Sequence, residues 1–245
     1  MKKLLLYCLP LVFAFSCSKN DNTGIILNPE GIAQPRSLSI FCRSSNSLLY
    51  KTDYTYADGR LTSEKTIQET PFRFTVEKYY EYNTQKQLTN VKAVTINYQQ
   101  DGSVSSQGEY NTEREYQNNL LYKEYVPGSR SYYNYTYNNS TLTSKTHYGP
   151  DEKKTGTTTY SYENGLLSRE FNSYENSDHT TLFTYEYDAQ KRLSKVRVKE
   201  NNGEVKLMEE YFYEEDKLVR KETYSWGSDP CFALCCGAYT YKYHY

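Results

Sequence analysis

A short phrase recurs along this chain and constrains its fold more than any other feature. In the clearest copy, Tyr185-Glu186-Tyr187-Asp188 is followed by a polar turn and then by Leu193. Two aromatic side chains separated by one residue lie on the same face of a β-strand, because side chains alternate along a strand. Asp58-Gly59 and Asn164-Gly165, in other copies, supply the positive φ angles of a tight hairpin. The leucine then begins a returning strand, where it can pack against the tyrosines across the hairpin.

The phrase occurs eight times at a spacing near 25 residues, which is typical of a repeated supersecondary unit. The tyrosines at the repeat positions are Tyr54, Tyr56, Tyr80, Tyr82, Tyr116, Tyr135, Tyr137, Tyr160, Tyr162, Tyr185, Tyr187, Tyr211, Tyr213, Tyr241 and Tyr243. Arg114 takes the first tyrosine position of its copy, and the last copy stops at Tyr245 without a turn. The pattern predicts an all-β fold, an antiparallel up-and-down meander of about sixteen strands in repeated hairpins. We expect a curved open sheet or incomplete barrel, with short turns at one edge, longer loops at the other and almost no helix.

Composition decides whether such a chain is ordered. Aliphatic residues are scarce, but the net charge is only −1 and 29 residues are tyrosine. A tyrosine ring buries a large apolar surface while its hydroxyl stays hydrated, so tyrosine can supply the core of an ordered β domain. The chain lacks the basic stripe that binding to nucleic acid requires, and no nucleic-acid partner is predicted.

The first residues have the layout of a bacterial export signal. Lys2 and Lys3 precede an apolar run from Leu4 to Phe15, which is too short to span a bilayer. Ala14-Phe15-Ser16-Cys17 resembles a lipobox, although alanine stands where leucine is commoner. The resemblance implies that cleavage leaves Cys17 first in the mature chain, carrying acyl chains that anchor it at roughly 0.8 kcal/mol per CH₂ group. The alternative is an ordinary secretory signal beside an unrelated cysteine.

The predicted organisation has three parts. Residues 1–16 are a signal peptide, residues 17–36 a lipid-anchored flexible tether, and residues 37–245 a single tyrosine-rich β-repeat domain. Asn28-Pro29 and Gln34-Pro35 interrupt any regular element in the tether. The predicted location is the outer membrane or cell surface, with the acyl chains as the membrane contact.

Four cysteines remain in the domain, at Cys42, Cys231, Cys235 and Cys236. Export to an oxidising compartment makes disulfides the expected state, and three pairings are open. The spacing of the last three cysteines matches no standard zinc site, so no metal ligand is predicted. The segment 226–237 is predicted to be either a disulfide-pinned cap tied to Cys42 or an exposed recognition loop.

Residues capable of catalysis do not form a recognisable motif. His147, His179 and His244 are isolated, and no nucleophile elbow, phosphate loop or zinc-protease motif occurs. Glu209 and Glu210 are adjacent on a predicted strand, which directs them to opposite faces. Glu214-Glu215-Asp216 forms a solvated turn instead of a catalytic pair. The sequence therefore predicts a non-enzymatic protein without a cofactor.

The copy from Tyr185 to Leu193 resembles tyrosine-rich repeats of the YD or Rhs type, and the similarity extends over residues 48–245. The chain is also similar to surface-lipoprotein domain families of unknown function, some described as porin-like in fold. In Rhs proteins such repeats wind into a hollow shell around a C-terminal toxin. Because 245 residues make too short a shell, only the hairpin architecture is expected to carry over.

The leading functional hypothesis is a binding, adhesion or scaffold module with a glycan or protein ligand. Tyrosine faces can stack on sugars, and an exposed sheet edge can accept a partner strand. The alternative is an integral outer-membrane barrel that passes solutes, since residues 239–245 alternate aromatic and polar like a terminal barrel strand. Lys195, Arg197 and Lys199 share one face of a strand, which disfavours contact with lipid. A hydrolase with an unrecognised site is a third hypothesis.

Overall fold

The chain forms a closed antiparallel β-barrel of sixteen strands in the computed structural model, which describes residues 34–68, 73–224 and 238–245. The strands are β1 (Ser37–Cys42), β2 (Leu48–Ala57), β3 (Arg60–Gln68), β4 (Phe74–Tyr82), β5 (Leu88–Tyr98), β6 (Val104–Gln117), β7 (Leu120–Tyr125), β8 (Tyr132–Asn138), β9 (Thr141–Tyr148), β10 (Lys154–Glu163), β11 (Leu166–Tyr174), β12 (Thr180–Tyr187), β13 (Leu193–Glu200), β14 (Lys206–Glu214), β15 (Lys217–Thr223) and β16 (Tyr239–His244). The described ranges contain no helix of the length and hydropathy that a membrane crossing requires.

Closure distinguishes the structure from the sequence prediction. The meander of sixteen antiparallel strands is confirmed, because each strand pairs with its neighbours in sequence. The predicted open sheet or incomplete barrel is wrong, since β1 and β16 pair along their length, from Ser37 opposite His244 to Cys42 opposite Tyr239. Closure gives hydrogen-bond partners to the N–H and C=O groups that two free edges would expose.

The barrel has two different ends. The turn end carries the hairpins at 58–59, 83–87, 118–119, 139–140, 164–165, 188–192 and 215–216. The loop end carries the other described connections, at 43–47, 99–103, 126–131, 149–153, 175–179 and 201–205. Residues 34–36 and Tyr245 lie at the turn end, where the backbone N–H of Arg36 donates to the carbonyl of His244 at 2.6 Å. The last residues of the predicted tether are therefore held against the barrel.

Turn chemistry at the turn end follows the residues predicted for it. Asp58 and Gly59 have φ angles of 49° and 75°, as a tight hairpin requires. Asp188 contributes through its side chain, unlike Asp58, which contributes a positive φ angle. The Asp188 Oδ1 accepts backbone N–H bonds from Gln190 and Arg192, both at 2.9 Å. This side chain closes the turn by mimicking backbone, so Asp188 is a turn residue.

One face of the sheet points into the barrel. The strand register places all the repeat tyrosines on the same face. The most buried side chains, including Tyr135, Leu142 and Val198, lie on that face. Lys65 and Glu77 lie on the opposite face, paired across β3 and β4. The tyrosine face is therefore the inner face, and tyrosine packs the wall from inside.

In six of the eight copies the second tyrosine links its hairpin to the preceding one. Its hydroxyl donates to the main-chain carbonyl of the preceding repeat leucine. These bonds, 2.9–3.0 Å long, join Tyr82 to Leu61, Tyr116 to Leu88, Tyr137 to Leu121, Tyr187 to Leu167, Tyr213 to Leu193 and Tyr245 to Leu218. The last bond shows that Tyr243 and Tyr245 occupy the two repeat positions of the final copy, two residues later than the predicted pair Tyr241 and Tyr243.

A β-bulge before the second tyrosine is common to all seven hairpins of the turn end. In five of them the residue after the leucine is Ser or Thr, whose hydroxyl donates to the carbonyl of the residue between the two tyrosine positions. The donors are Thr62, Thr89, Thr143, Ser168 and Ser194, at 3.0–3.2 Å. This hydroxyl is a further part of the repeat that the sequence analysis missed.

The linking bond can be tested within the repeat itself. Tyr187→Phe removes the 2.9 Å bond to Leu167 and leaves that carbonyl without its donor. We expect a loss of about 0.5–1.5 kcal/mol in the free energy of unfolding, measured by urea denaturation. Tyr162→Phe is the matched control, because the buried Tyr162 hydroxyl has no partner in the described part of the barrel. The control is expected to be neutral or slightly stabilising, and equal losses in both variants would contradict the linking role.

Candidate functional site

The inner face carries charges among its tyrosines. In each hairpin, the first of the two tyrosine positions faces a residue on the returning strand. That residue is the third after the leucine that begins the returning strand. It is charged in five of the seven hairpins, as Glu64, Glu124, Lys145, Glu170 and Lys221. A charge inside a barrel loses hydration, so each of these groups needs a compensating partner.

Three inner-face cations have a carboxylate partner. Lys78 Nζ lies 2.6 Å from Glu64, Arg114 Nε lies 2.7 Å from Glu124, and Lys221 Nζ lies 3.4 Å from Glu209. Glu124 also accepts a hydrogen bond from the Tyr135 hydroxyl at 3.2 Å. Burial is the largest single influence and lowers the pKa of Arg114, but Glu124, Tyr116 and Tyr135 together outweigh it, so the net pKa is raised. In each of these pairs the carboxylate balances the charge of the cation.

Lys145 differs from these three cations. Its Nζ lies 3.9 Å from the ring centroid of Tyr133 and 5.5 Å from that of Tyr135. Within the described ranges, no carboxylate lies at ion-pairing distance from it. Burial lowers the pKa of Lys145 overall, even though the more distant Glu124 and Glu170 act to raise it. The ammonium group is therefore crowded by protein and incompletely compensated, while part of the side chain remains accessible.

Lys145 borders a cavity of about 220 Å³ inside the barrel, toward the loop end. The cavity is formed by β8 to β11 and combines aromatic and polar side chains. Its wall includes Tyr133, His147, Thr158, Glu170, Asn172 and Tyr174. Aromatic surface with a few fixed polar groups is the usual composition of a ligand pocket.

Hydrogen bonds hold the polar groups of this cavity in place. Glu170 accepts bonds from the Tyr185 hydroxyl at 3.0 Å and from the Asn172 amide at 3.4 Å. Asn172 in turn accepts a bond from Thr158 at 2.5 Å. This network fixes an acceptor-rich surface opposite the Lys145 cation.

His147 adds an aromatic group to the wall. Its Nδ1 lies 2.5 Å from Thr155 Oγ1, and its ring centroid lies 4.7 Å from that of Tyr133. Burial, with a further contribution from Lys145, lowers the pKa of His147. The ring is consequently neutral at pH 7 and contributes hydrogen bonding and stacking instead of charge.

The mouth of the cavity lies at the loop end. Tyr174 is 49% exposed there, and its ring centroid lies 5.7 Å from that of His179. Gly156 faces this ring across β10 and β11. A Cβ atom on Gly156 would lie 3.0 Å from the Ser173 carbonyl oxygen and 3.5 Å from Tyr174 Cδ1, so a larger residue here would require the neighbouring backbone to shift by a few tenths of an ångström.

The other tyrosines of the inner wall remain protonated. Burial raises the pKa of Tyr56 and of Tyr213 to about 12. Burial raises the pKa of Tyr160 further, and Glu170 adds to that shift. At neutral pH these side chains present hydroxyl groups, and they add no negative charge to the interior.

The histidines and acids singled out in the sequence occupy separate places. His147 lies in the cavity wall and His179 at its mouth, whereas His244 lies on the outer face, 3.2 Å from Ser39 Oγ. Glu209 pairs with Lys221 on the inner face and Glu210 with Lys195 on the outer face. The prediction that these two acids point to opposite faces is confirmed. No group of three His, Cys, Asp or Glu side chains in the described ranges has the geometry of a metal site.

Cys42 is the only one of the predicted site cysteines that lies within the described ranges. It is 1% exposed and disulfide-bonded. Cys17, Cys231, Cys235 and Cys236 lie outside the described residues, as does the segment 226–237. Lipidation, the pairing of the cysteines and the role of that segment remain predictions.

Several residues of the cavity were missed by the sequence analysis. Lys145, Glu170, Tyr133 and Tyr174 were not singled out, because each is an ordinary strand residue when considered alone. The sequence signal that could have identified Lys145 and Glu170 is their position within the repeat. A charge three residues after a repeat leucine lies across the hairpin from the first repeat position, as Lys145 lies opposite Tyr135.

Comparison with known proteins yields weak structural likenesses. No protein-family model matches the chain, and no curated protein matches it. A porin-like protein from Bacteroides uniformis ATCC 8492 is similar with a TM-score of 0.45 and 11% identity, over 86% of this chain and 98% of that one. TcdB2-TccC3 without its hypervariable C-terminal region is similar with a TM-score of 0.24 and 12% identity, over 73% of this chain and 12% of that one. At these values neither likeness assigns an activity or a ligand to this chain.

Proposed function

We propose that this protein is a non-enzymatic, lipid-anchored barrel on a bacterial outer membrane or cell surface, acting as a binding module for a glycan or protein ligand. The polarity of the outer face carries this proposal. Ion pairs on that face include Lys65 with Glu77 at 2.8 Å, Lys92 with Glu109 at 2.9 Å and Arg197 with Glu186 at 2.5 Å. A charge in the middle of a bilayer costs about 2–4 kcal/mol, so this wall favours water on its outer side.

The alternative, an integral barrel that passes solutes, requires an apolar band around the outside. Lys195 and Glu210 lie 3.4 Å apart on the outer face of β13 and β14, next to the Arg197 pair. These charges would have to face lipid in the alternative. The lipid anchor therefore supplies the membrane contact in the proposal, and the barrel wall does not.

The position of the chain entry orients the barrel. Tyr56 donates a 3.1 Å hydrogen bond to the carbonyl of Pro35 at the turn end. A tether over residues 17–36 would thus join the barrel at the turn end. The loop end, with the mouth beside Tyr174, would face away from the membrane and toward ligands.

Replacement of the anchor cysteine tests the proposal. Cys17→Ala is expected to release the barrel into the soluble fraction, because the acyl chains are its only membrane contact in this proposal. Fractionation of cells followed by carbonate extraction measures the effect, and Ser18→Ala is the matched control that stays bound. A Cys17→Ala protein that resists carbonate extraction would support the integral barrel and overturn the anchored module.

A further inference from the structure

An uncompensated cation inside a protein is stabilised when a ligand supplies its counter-charge. Lys78, Arg114 and Lys221 share the inner face with Lys145, and each contacts a carboxylate within 3.4 Å. Lys145 has aromatic neighbours instead and borders open space. Retaining an unpaired ammonium group there costs stability, so an anion that enters the cavity would relieve a cost that the empty barrel bears.

The cavity limits the size of that anion. Its volume of about 220 Å³ is below the roughly 300–1,000 Å³ of pockets that enclose drug-sized ligands. A molecule with a single ring fits this space better than an oligomer does. The partly exposed Tyr174 places an aromatic face at the mouth, where a ring could stack as it enters.

The remaining wall restricts the chemistry of the ligand. Glu170 retains acceptor capacity on a carboxylate that receives two hydrogen bonds, from Tyr185 and Asn172. A compact dianion such as phosphate would be repelled by this carboxylate. A neutral sugar would leave Lys145 uncompensated. A ligand with one carboxylate and several hydroxyl donors satisfies both groups.

We propose that this cavity binds a small sugar acid of the hexuronic type. Its carboxylate contacts Lys145, its hydroxyl groups donate to Glu170 and contact Asn172, and its ring lies against Tyr174. This assignment rests on the proposed function as a binding module and names the ligand class for it.

Calorimetric titration of the purified full chain tests the site, with D-glucuronate and D-galacturonate as probes. We expect saturable binding of at least one of them at millimolar concentration, and weaker binding of D-glucose, which lacks the carboxylate, and of acetate, which lacks the ring. Lys145→Met is expected to weaken binding by about tenfold or more, because a hydrogen bond to a charged group is lost. Lys145→Arg keeps the charge and is expected to retain part of the binding.

Folding controls make the test decisive. Lys145→Met removes an uncompensated charge, so the melting temperature of the empty protein is expected to stay the same or rise. Lys195→Met, on the outer face, is the matched control that leaves binding unchanged. Tyr174→Ala, at the exposed mouth, is expected to weaken binding severalfold without loss of stability.

Three results would overturn the assignment. They are the absence of binding by both uronates, equal binding by the wild type and Lys145→Met, and binding of acetate or glucose as tight as that of the uronates. Each result leaves the anchored module standing if Cys17→Ala still releases the barrel. Glycan binding that persists unchanged in Lys145→Met would place the ligand of the module on another surface.

Discussion

Glu124→Val is expected to lower the free energy of unfolding by about 3–5 kcal/mol, because it strips a buried arginine of its carboxylate. The side chains of Arg114 and Glu124 are only 10% and 8% exposed, and their 2.7 Å contact lies on the inner face. The same substitution removes the acceptor of the Tyr135 hydroxyl. Urea denaturation measures the loss, provided that the slope of the transition stays unchanged.

The repeat supplies the compensating variant. Two other copies place tyrosine opposite valine at this position, as Tyr80 opposite Val91 and Tyr185 opposite Val196. Arg114→Tyr combined with Glu124→Val recreates that pair, and we expect it to recover most of the lost stability, since apolar replacement of a buried ion pair is often neutral or stabilising. A double variant no more stable than Glu124→Val would contradict this account.

An outer-face pair provides the control for burial. Lys65 and Glu77 lie 2.8 Å apart, with side chains 52% and 28% exposed. Glu77→Val is expected to cost about 1 kcal/mol or less, because water and salt screen an exposed pair. A cost equal to that of Glu124→Val would show that burial is not what makes the inner pair important.

Leu142→Ala is expected to destabilise the barrel by about 2–5 kcal/mol. Leu142 is 1% exposed and packs with Leu121 and Tyr135 in the buried cluster of the inner wall. Truncation loses the burial of the side chain and leaves a cavity that the closed wall cannot easily collapse to fill. Chemical denaturation followed by tyrosine fluorescence measures the change.

Leu48→Ala is the control for this second experiment. Leu48 is also a strand leucine, but it is 51% exposed. Its replacement is expected to change stability by about 0.5 kcal/mol or less. Similar losses at both positions would mean that the repeat leucines do not form the core, against the packing around Leu142.

Local features of the fold could be predicted from the residues. The alternation of Tyr185 and Tyr187 and the turn residues at Asp58-Gly59 act within a few residues of one another, so hairpins and their order follow from them. Asp188 is a turn residue for the same reason, since its partners at Gln190 and Arg192 are close in sequence. The Ser or Thr that follows the leucine in five of the seven hairpins was equally local and equally visible, but its role requires the bulge to be known.

The candidate site could not be predicted in this way. Lys145 is one of many charged strand residues, and its lack of a carboxylate depends on side chains from other strands. Glu124 and Glu170 lie in neighbouring hairpins and are committed to other partners. Which charges are paired is a property of strand register, and register between hairpins is set by contacts such as that of Tyr187 with Leu167.

The sequence by itself determined the hairpin, its turn residues and the side of the strand on which the tyrosines lie, because side-chain alternation acts over two residues. The tertiary structure alone decided that β1 meets β16, which makes the tyrosine side the interior of a closed barrel. Closure depends on the summed twist and stagger of sixteen strands, which no single copy of the repeat encodes. Only after closure does Lys145 become an interior charge beside a cavity. The proposed site therefore depends on closure of the barrel, which no single copy of the repeat predicts.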